Sequence, residues 1–577
     1  MKRILVFAFL LGLAGVVAAQ TNSIPSDPAA YHPGTLLAKL KPAYGYLAHA
    51  TIAGRSTSLP DIIIEPLANP TATKQNRLAR GPLSDSQFAI DMSLYVRLNM
   101  DPGTNLRTRI NELLATGYFE IIEPDYVASF SFTPNDPLLG QQDYLTIINA
   151  LEAWDVSQSD AGTVIAVIDS GGDLDHPDLA ANIYINPDEI PNNGIDDDHD
   201  GYIDNINGWD FMGADTLNLY NSSFVGDNDP NLKQTGDAGA LSHGVWVAGC
   251  AAAVGNNGIG VAGVGFKSKI LFTKHSADNQ KSSGIYRGYS GILYAAQTLK
   301  QDNVGRAIIN CSWGGSFRSQ IAQDIITHVT VDLGYLVVCA AGNAGSITPS
   351  YPAAYDNALS VGATDSKDIK ASFSNYGGTV DLSAPGVSIY TTAYNNGFNS
   401  ISGTSFSSPI TAGAAAVVWS KFPTFTPLQV AEQLRVTADN VDALSPAIFN
   451  QLMGHGRLNV KNAVTQSVPS IRISKPTMLD NLGNTAEPGK EAFLTASFTN
   501  FLKTSGPLTV TATSNSGLIT FTKNEIQMDA VAAGATVRNT LNPFRALISA
   551  NTPDNTTVDI KLSYTDGTYT DNQIIQV

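Results

Sequence analysis

Val164-Ile165-Ala166-Val167-Ile168-Asp169-Ser170-Gly171 is an unbroken apolar run, mostly β-branched, that ends on a carboxylate, a hydroxyl and a glycine. A strand with water on one face alternates apolar and polar residues, whereas a run without alternation is buried on both faces, as in a parallel sheet covered by helices. Three more runs of this kind follow at Ile270-Leu271-Phe272, Ala307-Ile308-Ile309-Asn310 and Leu336-Val337-Val338-Cys339-Ala340. Helix-length stretches rich in small residues separate them. The pattern predicts an α/β domain over residues 136–465, a parallel sheet flanked by helices. Functional groups of such sheets gather beyond the carboxyl ends of the strands. Asp169 stands there after the first run, Ser312-Trp313-Gly314 after the third and Asn343 after the fourth.

Two more polar groups sit at helix entries. His243 lies in Leu241-Ser242-His243-Gly244-Val245-Trp246-Val247-Ala248-Gly249, a turn running into a small-residue helix. Ser405 lies in Ser402-Gly403-Thr404-Ser405-Phe406-Ser407-Ser408-Pro409, ahead of the small-residue stretch Ile410 to Val418. Free N–H groups and the helix dipole favour developing negative charge at such a position, although Ser and Thr are also the preferred caps. A serine nucleophile needs a base within reach and a carboxylate that orients the base. Asp169, His243 and Ser405 supply those types in the order Asp, His, Ser.

The ordered set IAVIDSGGDLDHPDL, SHGVWVAG, AAGNAG and SGTSFSSP resembles the subtilisin-like serine proteases, the subtilases, across roughly residues 140–465. The resemblance implies a subtilisin-like fold in which Asp169 orients His243, His243 is the general base and Ser405 the nucleophile. It implies that Asn343 and the Ser405 N–H stabilise the oxyanion. Ser312-Trp313-Gly314 would be the edge along which an extended protein or peptide substrate adds as a strand. Three positions depart from the family: Val245 replaces the Thr after His-Gly, Trp246 the second His, and Phe406 the Met after Gly-Thr-Ser. None removes a proton-transfer group. They leave open a second reading, a catalytically impaired surface adhesin or binding scaffold; cyclisation or transpeptidation would also share the triad.

The flanks have their own character. Met1-Lys2-Arg3, the apolar stretch Ile4 to Val17 and the small residues Ala18-Ala19 read as a signal peptide over residues 1–19. No later run reaches about 18 apolar residues, so the mature chain is expected to have no membrane span and to be secreted or held at the cell surface. Residues 20–135 read as an α+β block, with strand patterns at Thr35–Leu40 and Leu94–Leu98 and a helical pattern at Asn105–Thr116. The family resemblance implies that this block is a ferredoxin-like propeptide, an intramolecular inhibitor cleaved near 126–140. Residues 466–577 alternate with period two at Glu491–Phe498, Leu508–Ala512, Thr557–Leu562 and Gln573–Val577, predicting an all-β, immunoglobulin-like sandwich. The chain stops on a strand without a recognisable sorting signal, which leaves room for a longer parent protein.

The formal charge of −17, with no basic cluster, argues against nucleic acid as a partner. Cys250, Cys311 and Cys339 all lie in apolar runs and read as buried thiols, with Cys311 and Cys339 suited to neighbouring strands. An acidic insertion separates Asp169 from His243. In it, Asp196, Asp198, Asp200 and Asp204 fall at positions 1, 3, 5 and 9 of an EF-hand-like loop, with Gly201 at position 6 and Asn207 at 12. With the Tyr202 carbonyl these hard oxygen ligands point to structural Ca²⁺; a solvated acidic loop is the alternative. His176, in a family surface turn, and His455, near the end of the α/β domain, read as structural.

Overall fold

A computed structural model describes residues 31–49, 59, 61–67, 91–126, 131–213, 226–233, 242–277, 284–553 and 555–577. The signal-peptide reading of residues 1–19 lies outside them. The chain divides into two compact units, Met1–Phe130 and Ser131–Val577.

In the first unit, β1 (Tyr31–Leu40), β2 (Ile63–Pro66), β3 (Tyr95–Asn99) and β4 (Phe119–Tyr126) form an antiparallel sheet in the order β2-β3-β1-β4. Leu36, Ala38 and Leu40 alternate inward along β1. Helix α1 (Leu106–Ala115) begins where the Asn105 side chain accepts from Thr108 N, a normal N-cap. It sets Leu106, Ile110 and Leu113 into the same core as Val96 and Ile122.

The second unit is built on seven parallel strands: β5 (Thr163–Asp169), β6 (Gly208–Asp210), β7 (Lys269–Lys274), β8 (Arg306–Cys311), β9 (Leu336–Ala340), β10 (Ala358–Thr364) and β11 (Leu382–Pro385). Their order is β11-β10-β9-β8-β5-β7-β6. Every residue of β5 is buried. Ile165 and Val167 join the core formed with helices α2 (His243–Ala252) and α5 (Thr404–Lys421). Val164, Ala166 and Ile168 face the opposite layer, formed with α3 (Gly288–Gln301) and α4 (Gln320–Thr327). Burial on both faces is the physical reason the run carries no polar alternation. The cysteines behave as expected: all three are free and buried, and Cys311 lies opposite Cys339 in the β8–β9 register.

α2 and α5 approach closely because both carry small residues; a Cβ on Gly413 would stand 2.6 Å from the Ala251 carbonyl oxygen. A hairpin, β12 (Ile389–Ala393) and β13 (Gly397–Ile401), leads into α5. The Thr391 and Thr392 hydroxyls donate to the carbonyls of Trp246 and Val245, tying that hairpin to α2.

Residues 471–576 form two antiparallel sheets. One runs Ile471–Leu479, Glu491–Asn500, Phe544–Ile548, Ile519–Lys523; the other runs Glu525–Met528, Leu508–Thr513, Asp559–Thr565, Thr570–Gln576. Phe498, Val510, Phe544, Leu562 and Tyr564 share the core between them. This sandwich meets α6 (Pro427–Val436) through buried ion pairs: Arg435 reaches Asp571 at 2.8 Å and Glu432 at 2.9 Å, and Arg472 reaches Glu432 at 2.6 Å.

Candidate active site

β5 ends with Asp169, fully buried, and α2 begins with His243, whose side chain is 24 % exposed. His243 Nδ1 lies 2.8 Å from Asp169 Oδ1, which also accepts from Ser170 N at 2.7 Å. A carboxylate only accepts, so Nδ1 carries the proton and Nε2 keeps its lone pair. The start of α2 must come close for this contact: a Cβ on Gly244 would sit 2.2 Å from the Gly171 carbonyl oxygen, which explains a glycine directly after the histidine. Asp169 Oδ2 is buried with no hydrogen-bond partner among the described residues. Burial opposes the charged imidazole, but the charge of Asp169 and its hydrogen bond outweigh it, and the His243 pKa stands above its ordinary value.

Ser405 is the second residue of α5. Pro409 lies inside that helix and has no N–H to give to the carbonyl four residues earlier, that of Ser405. Ser312 Oγ fills the vacancy, donating to Ser405 O at 2.8 Å, while Ser405 Oγ donates to Ser312 O at 3.1 Å. Beneath them, Asn310 Nδ2 donates to Ser312 Oγ and Ser408 Oγ donates to Asn310 Oδ1, at 2.9 and 3.0 Å. The helix start is thereby pinned to the carboxyl end of β8.

Asn343 holds its amide by the oxygen, which accepts from Thr404 N and Thr404 Oγ1, both at 2.9 Å. The NH₂ is left as the polar end available to the cleft. Asp169, His243, Ser405, Asn343 and Ser312 to Gly314 all line one cleft of about 460 Å³. A neighbouring hollow of about 270 Å³ shares Ser405 and Asn343 and is walled by neutral groups including Gly314, Ala340, Gly342, Ser350 and Asn375. Trp313 donates its indole N–H to Ile168 O at 2.8 Å, so its ring is fixed rather than swinging.

The acidic insertion folds in part as its spacing suggests. Asp196, Asp198 and Glu189 bring one carboxylate oxygen each within 4.8 Å of one another. Glu189 was not expected from the loop spacing; it is 6 % exposed, and its Oε2 has no hydrogen-bond partner among the described residues. A buried carboxylate oxygen facing two more carboxylates fits a hard divalent cation. Asp200 is turned elsewhere, accepting from Asn205 Nδ2 at 3.0 Å and Thr298 Oγ1 at 2.9 Å, and burial raises its pKa. Asp204 accepts from Asn193 N and Gly194 N and closes the loop. The Tyr202 ring packs on Trp209 and Tyr294. A further pair went unrecognised in the sequence. Asp136 and Asp178 are both buried and hold the loop at 256–261, accepting from Asn256 N, Asn257 Nδ2 and Val261 N. Burial pushes Asp136 up and Asp178 to about 6, and Asp136 Oδ1 has no partner among the described residues.

The other residues that sequence reasoning missed, Asn310 and Ser408, had one available signal: a polar Asn closing an otherwise apolar strand. His176 is structural, but it is fully buried rather than in a surface turn, and its Nδ1 accepts from Asp178 N at 3.1 Å.

The pattern of the subtilase family matches residues 160–456. Thermitase of Thermoactinomyces vulgaris is 34 % identical over 334 residues, 58 % of this chain and 99 % of the relative. A thermophilic serine proteinase of a Bacillus species is 33 % identical over 366 residues, 63 % of this chain and 76 % of the relative. An extracellular protease of Xanthomonas campestris is 32 % identical over 433 residues, 70 % of this chain and 71 % of the relative.

Proposed function

This chain belongs to the subtilase family and is a serine-type endopeptidase; on that premise we propose that Ser405 is its nucleophile, His243 its general base and Asp169 the carboxylate that orients the base. One observation supports this above all. His243 is held by Asp169 through Nδ1 at 2.8 Å, and the cleft it borders also holds Ser405. The Ser405 hydroxyl leaves Ser312 O and gives its proton to His243 Nε2 as Oγ attacks the peptide carbonyl. Asn343 Nδ2 and the Ser405 N–H, unpaired in the first turn of α5, receive the oxyanion. His243 then protonates the departing amine, and water repeats the sequence on the acyl-enzyme. The substrate runs extended along Ser312-Trp313-Gly314, with one uncharged side chain in the neighbouring hollow.

Glu189, Asp196 and Asp198 would hold a structural Ca²⁺, and Asp136 and Asp178 a second cation. Neither takes part in proton transfer. Residues 20–135 act as the inhibitory propeptide of an exported zymogen, residues 136–465 form the catalytic domain and residues 466–577 an accessory sandwich. The expected result for Ser405→Ala is a folded protein with wild-type melting temperature that no longer hydrolyses casein. Residual hydrolysis at the wild-type rate would refute the assignment.

A further inference from the structure

Two of the three departures from the family share one side of the cleft with His243. Trp246 follows His243 by three positions on α2, and positions three apart share a helix face. Phe406 follows Ser405 on α5. The ring centroids make a triangle: His243 to Phe406 5.8 Å, His243 to Trp246 6.3 Å, Trp246 to Phe406 6.3 Å. Both aromatic rings line the cleft and are buried, Trp246 to 8 % and Phe406 to 2 % exposure. The indole N–H of Trp246 has no hydrogen-bond partner among the described residues, and the His243 ring stands edge-to-face with Trp246 at 68° and tilted to Phe406 at 48°. The Trp246 backbone is fixed by Thr391 and that of Val245 by Thr392.

We propose that Trp246 and Phe406 are positioning residues that hold the His243 ring and stabilise its cation during turnover. The inference rests on His243 being the general base. Aromatic faces carry negative charge density, and a cation within about 6 Å of a ring centroid is attracted to it, more so where water is excluded. Asp169 compensates the imidazolium only at Nδ1; the two rings act on the rest of it, from the base's own helix and from the nucleophile's. Among the described residues, Asp169 at the end of β5 is the charged group facing His243. From α5 the facing group is the Ser405 hydroxyl. On α2 itself the Cys250 thiol, one turn past Trp246, is held neutral by burial, which pushes its pKa to about 12. His275, which follows β7 and senses Asp169, is held neutral, burial pushing it down to about 4; its nitrogens meet Tyr286 O at 2.7 Å and Thr273 Oγ1 at 2.9 Å.

Leucine at either position keeps the site dry but removes the π face, which separates this effect from desolvation. The test measures kcat and KM of the full chain against pH with a peptide amide, for Trp246→Leu, Phe406→Leu and Trp246→Phe. Each leucine variant should lower kcat about 3- to 30-fold with KM held within about twofold, and move the acid limb of kcat/KM to lower pH by about half a unit to one unit. Trp246→Phe should restore most of both. An acid limb that stays in place while KM changes, or a Phe variant no better than Leu, overturns the proposal. Should Trp246→Leu not fold, Phe406→Leu carries the same test. His243→Ala measured alongside separates this outcome from failure of the catalytic assignment, because wild-type rates there would refute the assignment itself.

Discussion

His243 meets Asp169 at 2.8 Å and His455 meets Asp571 at 3.8 Å, yet the two histidines are pushed in opposite directions. Burial works against both cations. At His243 the attraction of Asp169 wins and the pKa rises; at His455 burial prevails, reinforced by Arg435 and Arg472, and the pKa falls. The difference lies in what else the carboxylate serves. Asp571 is already taken by Arg435 at 2.8 Å and by the Tyr569 hydroxyl at 3.0 Å. Asp169 pairs with no arginine or lysine among the described residues, and its Oδ2 has no hydrogen-bond partner there, so no fixed cation neutralises the charge that His243 meets. A His–Asp pair thus reads as chemistry where the carboxylate is uncommitted and the ring borders a cleft. Where an arginine has neutralised the carboxylate, the pair belongs to the architecture.

The largest expected separation is kinetic. His243→Ala should lower kcat by about 10⁴- to 10⁶-fold, a scale that comes from subtilisin itself, whereas His455→Ala should leave kcat within about twofold. Steady-state hydrolysis of one peptide amide checks both; equal losses would erase the distinction. Breaking the architectural site should instead cost stability. Arg435→Met leaves the buried Asp571 without its arginine and Glu432 with Arg472 alone, and losing one partner of such a network costs about 3–5 kcal/mol. Urea unfolding should register that loss while the folded fraction keeps its kcat.

Much of the His243 region was legible in the sequence, because β5 and β9 are buried on both faces and their polar ends stand out against apolar runs. The His455 region was not. Arg435 and Asp571 are far apart in the chain, and each alone looks like an ordinary surface charge; only folding brings them to 2.8 Å. The acidic loop lies between these cases. Its internal spacing pointed to Asp196 and Asp198, but Glu189 enters from outside the repeat, and Asp200 turns away because Thr298 and Asn205 offer it hydrogen bonds. The hairpin β12–β13 escaped notice since its alternation is short and interrupted by Asn395-Asn396, both left-handed at φ 63° and 60°.

EDTA should lower the melting temperature by roughly 5–10 °C, the size expected when a cation bound well above its dissociation constant is withdrawn. Glu189→Gln should reduce that shift, leaving the part that belongs to Asp136 and Asp178; an unchanged EDTA response in the variant would exclude Glu189 as a ligand. The pH dependence of stability should differ in sign between the histidines. For His455 the folded pKa is lowered from 6.5, so its contribution is complete above pH 6.5 and is lost as the pH falls toward the lowered value. For His243 the folded pKa is raised from 6.5, so its contribution is complete below pH 6.5 and is lost as the pH rises through the raised value. Unfolding free energies of His455→Gln and His243→Gln between pH 5 and 8 should therefore flatten opposite sides of the wild-type curve.

Activation of Ser405 by Asp169 and His243 should show in its reaction with a fluorophosphonate, which modifies only an activated serine. Mass spectrometry of the folded, labelled protein should find one adduct, on the peptide carrying Ser405, absent in Ser405→Ala. It should form faster as the pH rises through the raised His243 pKa. Folded, proteolytically matured protein in which Ser405 stays unmodified, or is modified at a rate indifferent to His243→Ala, would mean that His243 does not activate Ser405.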